Sequence, residues 1–285
     1  MLKTLSIAAS VLVLSVVSVN VFAADDDPAV WRQRKVTKEK AAAVGTTSED
    51  IAEEIRFGRE IAARIIGRYG LYDNDELMKY VNLVGKSVAA NTCRQEIQFR
   101  FAVLNTEEVN AYAAPGGYIF ITRGALTHMQ DEAELAGVLA HEVAHVTQKH
   151  IVKELNIQSE DTSAASGMAR LIGGTSEAAR TAFAQAVDKA LDMLFKDGYK
   201  REDEVEADRT GVSFSALAGY DPTGLPRYLE IIGPTKEKDT EVLDKTHPGY
   251  KERVSWLTDT IKNDGLDAVG KKAGRERFTS TVRIK

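Results

Sequence analysis

Apolar residues recur every three to four positions from Ile51 onward (Ile51, Ile55, Ile61, Ile65 and Ile66), the period of a helix with one buried face. Ser48 is placed to cap it. A second helix is predicted from about Asp75 to Ala90, with Leu77, Tyr80, Val81, Val84 and Val88 turned inward. The period then changes to two. Ile97, Phe99, Phe101 and Val103 alternate with Gln98, Arg100 and Ala102, which predicts a half-buried strand. Residues Asn110 to Thr122 read as strand, Pro115-Gly116-Gly117 turn, strand. After Gly124 the helical period returns. Asp131 with Glu134 resembles a capping box opening a helix that runs to about Leu155. Further helices are predicted from about Ala184 to Phe195, from about Arg201 to Ala218 and around Leu225, Tyr228, Leu229 and Ile232. The Ser-, Ala-, Gly- and Thr-rich stretch 159–182 reads either as a loop over a site or as weakly packed helix. The order predicts one α+β domain, mainly helical, with a small sheet.

The ends of the chain read differently. Lys3 precedes an uncharged, Leu-, Val-, Ala- and Ser-rich run that closes on Val21-Phe22-Ala23, the pattern of an export signal cut after Ala23. A run of roughly 20 apolar residues also suffices to span a bilayer, so a retained anchor is the alternative. The predicted organisation is a signal peptide over 1–23, a polar lead-in over 24–50, the folded domain over 51–262 and a C-terminal tail over 263–285. No other segment is apolar and long enough to span a membrane. Cys93, the single cysteine, excludes an internal disulfide. The formal net charge of −5 gives no electrostatic basis for nucleic-acid binding.

The chemistry centres on the segment HEVAH. Positions one helical turn apart share a face, so His141 and His145 can present two imidazoles to one metal ion, with Glu142 offset toward a water there as general base. The flanking residues Leu135, Val138, Leu139, Val143 and Val146 are apolar, and imidazoles buried among them need partners. Glu204 and Asp208 lie one turn apart on the later helix. Glu204 is the candidate third ligand, and Asp208 the acceptor for the other ring N–H of a liganding histidine. Two imidazoles and a carboxylate suit one zinc ion per chain.

HEVAH, the stretch Glu204-Val205-Glu206-Ala207-Asp208 and the segment Asn110-Ala111-Tyr112-Ala113-Ala114-Pro115-Gly116-Gly117 occur in the order of a known family. Over residues 50–260 the chain resembles the metallopeptidases that include the CAAX prenyl proteases, bacterial heat-shock membrane proteases and periplasmic proteases acting on outer-membrane proteins. The segments Tyr220-Asp221-Pro222 and Thr246-His247-Pro248, with Arg253, fit the same resemblance. It implies a zincin-like fold of the gluzincin type, with Glu204 as zinc ligand and Asn110, Ala111, Tyr112 and Ala113 on an edge strand that docks extended peptide. It further implies that His247 either caps the zinc or, like Arg253, stabilises an oxyanion; a surface histidine at a turn is the plain alternative. Lacking multiple spans, the chain resembles the compact periplasmic members. The expectation is a periplasmic endopeptidase, membrane-associated if its apolar N-terminus is retained. Its substrates would be unfolded or misassembled envelope proteins, among them outer-membrane proteins or their assembly machinery. The alternative is an envelope chaperone whose zinc is latent or structural.

Overall fold

A computed structural model describes residues 48–155, 176–234, 246–247 and 249–284. The expected signal segment, most of the lead-in and residues 159–175 of the Ser/Ala/Gly-rich stretch lie outside the described residues. Helix α1 (Ser48–Tyr69) and α2 (Asp75–Ala89) precede three strands, β1 (Arg100–Leu104), β2 (Ala111–Ala114) and β3 (Tyr118–Thr122). The short α3 (Arg123–Thr127) leads into α4 (Glu132–Thr147) and α5 (His150–Glu154). Then come α6 (Glu177–Asp192), α7 (Arg201–Leu217), α8 (Gly224–Ile232), α9 (Tyr250–Asn263) and α10 (Arg275–Thr281).

The sheet has the order β1-β3-β2, with β1 parallel to β3 (Arg100 beside Tyr118) and β2 antiparallel to it (Ala111 beside Ile121). β2 is therefore an edge strand, as the resemblance implies. The alternation expected along the first strand is present, with Ile97, Phe99, Phe101 and Val103 buried and Gln98 and Arg100 exposed, although the strand itself begins at Arg100; β2 and most of β3, by contrast, are covered on both faces. Phe101, Val103, Ala111, Ala113, Ile119 and Ile121 join α2, α4 and α7 in one core. Leu104, Tyr112, Ala114 and Phe120 point the other way and pack with Phe57, Ile61 and Ile65 of α1 and Val187 and Ala190 of α6. Residues 177–182 accordingly form the first turns of α6, capped by Ser176, whose hydroxyl accepts the Ala179 N–H at 3.2 Å. Among the described residues no helix is long and apolar enough to cross a membrane.

Helix α4 is the axis of the domain. Every residue from Glu132 to Val146 is buried, so apolar and small side chains surround it on all sides. Asp131 caps it by accepting the Glu134 N–H at 3.0 Å, while Glu134 reaches back one residue beyond the cap to the Gln130 N–H at 2.8 Å. The helix does not run to Leu155 as the periodicity predicts. It ends at Thr147, and Lys149 takes a left-handed conformation (φ 58°) before α5 begins.

The segment expected as a C-terminal tail is also corrected. Leu266 and Phe278 are buried in the core with α4, the Ala133 N–H donates to Ala273 C=O at 3.0 Å, and Arg277 of α10 pairs with the buried Glu132. Glu132 also accepts from Tyr80 of α2 at 2.7 Å, so one carboxylate joins three helices.

Two glycines permit close approaches that set the site. In the turn between β2 and β3, Gly116 has φ 73°, and a Cβ there would lie 2.6 Å from Ile55 Cα of α1. On α7, a Cβ at Gly211 would lie 2.8 Å from the backbone N of His141. The two helices touch there backbone to backbone. Gly211→Ala is expected to force them apart and lower stability by about 1–3 kcal/mol, the usual cost of overpacking. Urea denaturation checks this, and a variant as stable as the parent would contradict the packing.

Candidate metal centre

Glu204, Asp208 and Gly211 follow one another at four- and three-residue spacing on α7, so the face that touches α4 at Gly211 also carries both carboxylates. His141, Glu142, His145, Glu204, Asp208, His247 and Arg253 are all buried. His141 Nε2 and His145 Nε2 lie 3.0 Å apart; Glu204 Oε1 is 3.3 Å from His145 Nε2, and Glu204 Oε2 is 3.7 Å from His141 Nε2. His247 Nδ1 is 2.8 Å from Glu204 Oε1. Single ligand atoms of His141, His145, Glu204 and His247 all fall within 4.8 Å of one another.

The hydrogen bonds fix where the ring protons sit. Asp208 Oδ1 lies 2.9 Å from His141 Nδ1 and can only accept, so that nitrogen carries the proton and Nε2 of the neutral ring presents a lone pair. His145 Nδ1 faces His150 Nδ1 at 2.8 Å, and His150 Nε2 faces the carboxylate of Glu206 at 3.2 Å. His150 therefore donates through Nε2 and accepts through Nδ1, which places the His145 proton on Nδ1 and a second lone pair on its Nε2. Burial pushes the His145 pKa far down and keeps the ring neutral. Two bare nitrogens 3.0 Å apart beside a carboxylate repel one another unless a cation lies among them. The donor set fits a divalent metal ion.

The remaining charges support that arrangement. Arg253, in the first turn of α9, donates from Nε and Nη2 to the two Asp208 oxygens at 2.9 and 2.8 Å, and Nη1 stands 3.4 Å from Glu204 Oε2. Burial alone would raise the Glu204 carboxyl, but His247 and Arg253 outweigh it and hold the group well below the usual range. Burial likewise opposes ionisation of Asp208, and Arg253 reverses it. Glu142 is different. Burial pushes its pKa up, His247 and His141 offset this only in part, and Oε2 has no hydrogen-bond partner among the described residues.

The structure thus brings His141, His145, Glu204 and His247 together and sets Asp208 and Arg253 behind His141. Asn110 is buried at the start of the edge strand, with Nδ2 3.5 Å from the hydroxyl of Thr246, the residue before His247. Ala111 donates its N–H to Asn110 Oδ1 at 2.9 Å, and Ala113 shares a small cavity with His145 and Tyr199. The Tyr112 side chain points to the far side of the sheet, stacked on Tyr69, so only its backbone is on offer to a peptide. Two residues the sequence reading missed touch the site. His150 holds His145, and Tyr199 stacks on the His145 ring with centroids 3.9 Å apart and planes at 23°. Five positions after His145, a continuous helix would turn His150 off the metal-facing side; only the break at Lys149 returns it.

His150→Leu is expected to lower divalent-metal affinity by about 10–100-fold, the usual effect of losing such a partner, while His150→Gln, which keeps an acceptor, loses less. Chelator competition reads both, and equal affinity in all three proteins would contradict the proton assignment.

A family model described as peptidase family M48 matches residues 76–261, a span that contains all these candidate residues. The beta-barrel assembly-enhancing protease of Escherichia coli (strain K12) is 26% identical over 212 residues, 72% of this chain and 43% of that relative. The metalloprotease LoiP of the same strain is 23% identical over 196 residues, covering 68% of this chain and 74% of LoiP. The mitochondrial metalloendopeptidase OMA1 of Arabidopsis thaliana is 26% identical over 185 residues, 65% of this chain and 36% of the relative. The chain spans less than half the length of the beta-barrel assembly-enhancing proteases it matches. The family implies a metal cofactor, and the cluster of His141, His145, Glu204 and His247 could hold one. With more than half of its length matched, the chain belongs to peptidase family M48.

Proposed function

We propose that the protein is a zinc-dependent endopeptidase of the bacterial cell envelope that degrades misfolded or unassembled envelope proteins, outer-membrane proteins among them. In this reading residues 1–23 are an export signal, 24–50 a lead-in and the domain from residue 51 onward works in the periplasm. The observation that carries it is the pair of bare imidazole nitrogens beside the Glu204 carboxylate, with the unpaired Glu142 Oε2 close by. His141, His145 and Glu204 are the zinc ligands, the donor set that suits this ion and leaves a position open. Zinc bound there supplies Lewis acidity, lowering the pKa of water and polarising the scissile carbonyl.

The chain's own residues do the rest. Glu142 takes the proton from the attacking water and passes it to the leaving amine, and its raised pKa suits a group that must both accept and release a proton. Asp208, clamped by Arg253, keeps the His141 ring in the tautomer that offers Nε2. The edge strand β2, with Asn110 just before it and Ala111 to Ala113 within it, offers backbone groups to an extended substrate, so selection falls on unfolded segments. The relatives named for beta-barrel assembly support outer-membrane proteins as the substrate class.

A second reading has its own observation. His247 belongs to the same donor cluster as the two helix histidines and Glu204, a placement that favours capping of the metal over a free turn. The resting enzyme would then be latent and act first as a binding or assembly factor.

Glu142→Gln is expected to keep one zinc per chain and to lose casein cleavage, and a chelator to abolish cleavage by the parent until zinc is restored. Undiminished cleavage by Glu142→Gln would remove the proposal. His247→Ala is expected to raise casein cleavage several-fold without loss of zinc; a fall in activity would instead make His247 part of the chemistry.

A further inference from the structure

Tyr199 lies between the π-helical turn Met193–Asp197 that ends α6 and the start of α7. It is 7% exposed, its ring is stacked on His145, and its N–H donates to the carbonyl of Thr246 at 3.4 Å. The ring therefore has a clear packing role. Its hydroxyl has none: the oxygen is enclosed and has no hydrogen-bond partner among the described residues. A phenylalanine would keep the stack and avoid burying an unpaired polar group. A phenol is a proton donor at neutral pH, and this one sits on a ring stacked against the His145 imidazole. Ala113 of the edge strand lines the same cavity as Tyr199 and His145.

The Arg253 and His247 side chains near the metal cluster already hold carboxylates. Arg253 gives Nε and Nη2 to Asp208 and turns Nη1 toward Glu204. His247 holds Glu204 through Nδ1. A peptide laid along β2 into this site brings a carbonyl oxygen on which negative charge develops as water adds, and it needs a donor already in place.

We propose that Tyr199 is a catalytic residue whose hydroxyl donates a hydrogen bond to the oxygen of the scissile carbonyl as that charge builds. The proton stays on Tyr199 throughout; no bond to the tyrosine forms or breaks. The inference rests on the endopeptidase reading and adds the oxyanion donor to it.

The test compares the parent, Tyr199→Phe and Glu142→Gln as zinc-loaded full chains, using casein and a fluorogenic peptide derived from it. Tyr199→Phe is expected to lower kcat about a hundredfold, as loss of one oxyanion donor does. KM and zinc content should stay unchanged, and Tm should be equal or higher because the unpaired hydroxyl is gone. A structural role predicts the opposite stability result, so lost activity together with lowered Tm or lost zinc would overturn the proposal. Parental kcat in Tyr199→Phe, with Glu142→Gln inactive, would overturn the tyrosine's role and leave the endopeptidase reading standing. A parent that cleaves neither substrate, even with His247→Ala introduced, would overturn both.

Discussion

The contact between Gly211 and the backbone of His141 governs everything built around it. Carboxylates on one helix and imidazoles on another reach a common point only when the helix axes come unusually close, and a methyl group at residue 211 would already collide with His141 N. Because Glu204, Asp208 and Gly211 share one face of α7, the same contact delivers Glu204 to the open nitrogens of both histidines and Asp208 to the far side of His141. The apolar envelope of α4 supports the contact. With all of residues 132–146 buried, the helix cannot rotate its histidines toward solvent without exposing Leu135, Leu139 or Val143.

That burial imposes a second constraint, since every charge in the cluster must be matched. Asp208 and Arg253 form a bidentate pair, Glu204 lies between His247 and Arg253, and the protons of His141 and His145 are drawn outward to Asp208 and His150. Removing one partner of such a buried pair costs about 3–5 kcal/mol, so the outer residues fix geometry as firmly as the ligands do. The groups left unmatched are informative for the same reason. Glu142 Oε2 and the Tyr199 hydroxyl are buried polar atoms without hydrogen-bond partners among the described residues, and both belong to this one region.

Much of this was legible in the sequence where the signal is local. The HEVAH spacing and the Glu204–Asp208 spacing each need only one helix, and the strand–turn–strand reading of residues 110–122 needs only the Pro-Gly-Gly turn. Long-range features were not legible from periodicity. His247 and Arg253 entered through the family resemblance, because nothing in a loop and a helix start says which distant helix they meet. The Lys149 break was hidden inside an unbroken helical pattern, and with it the role of His150. Alternation along β1 reads as one buried face and is observed from Ile97 to Val103, but it carries no signal that α1 and α6 cover the second face through Leu104, Tyr112 and Phe120. Sparse apolar residues made 263–285 look like a tail, although Leu266 and Phe278 are enough to pin it to the core.

In the proposed enzyme, two Nε2 atoms and the Glu204 carboxylate hold one zinc ion. Zinc K-edge X-ray absorption on the purified protein, before and after Glu204→Ala, tests it most directly. One zinc per chain is expected, with imidazole nitrogen and carboxylate oxygen at about 2.0–2.2 Å, and loss or rearrangement of that shell in the variant. A protein that binds no zinc, or a shell that is identical once Glu204 is gone, would contradict it.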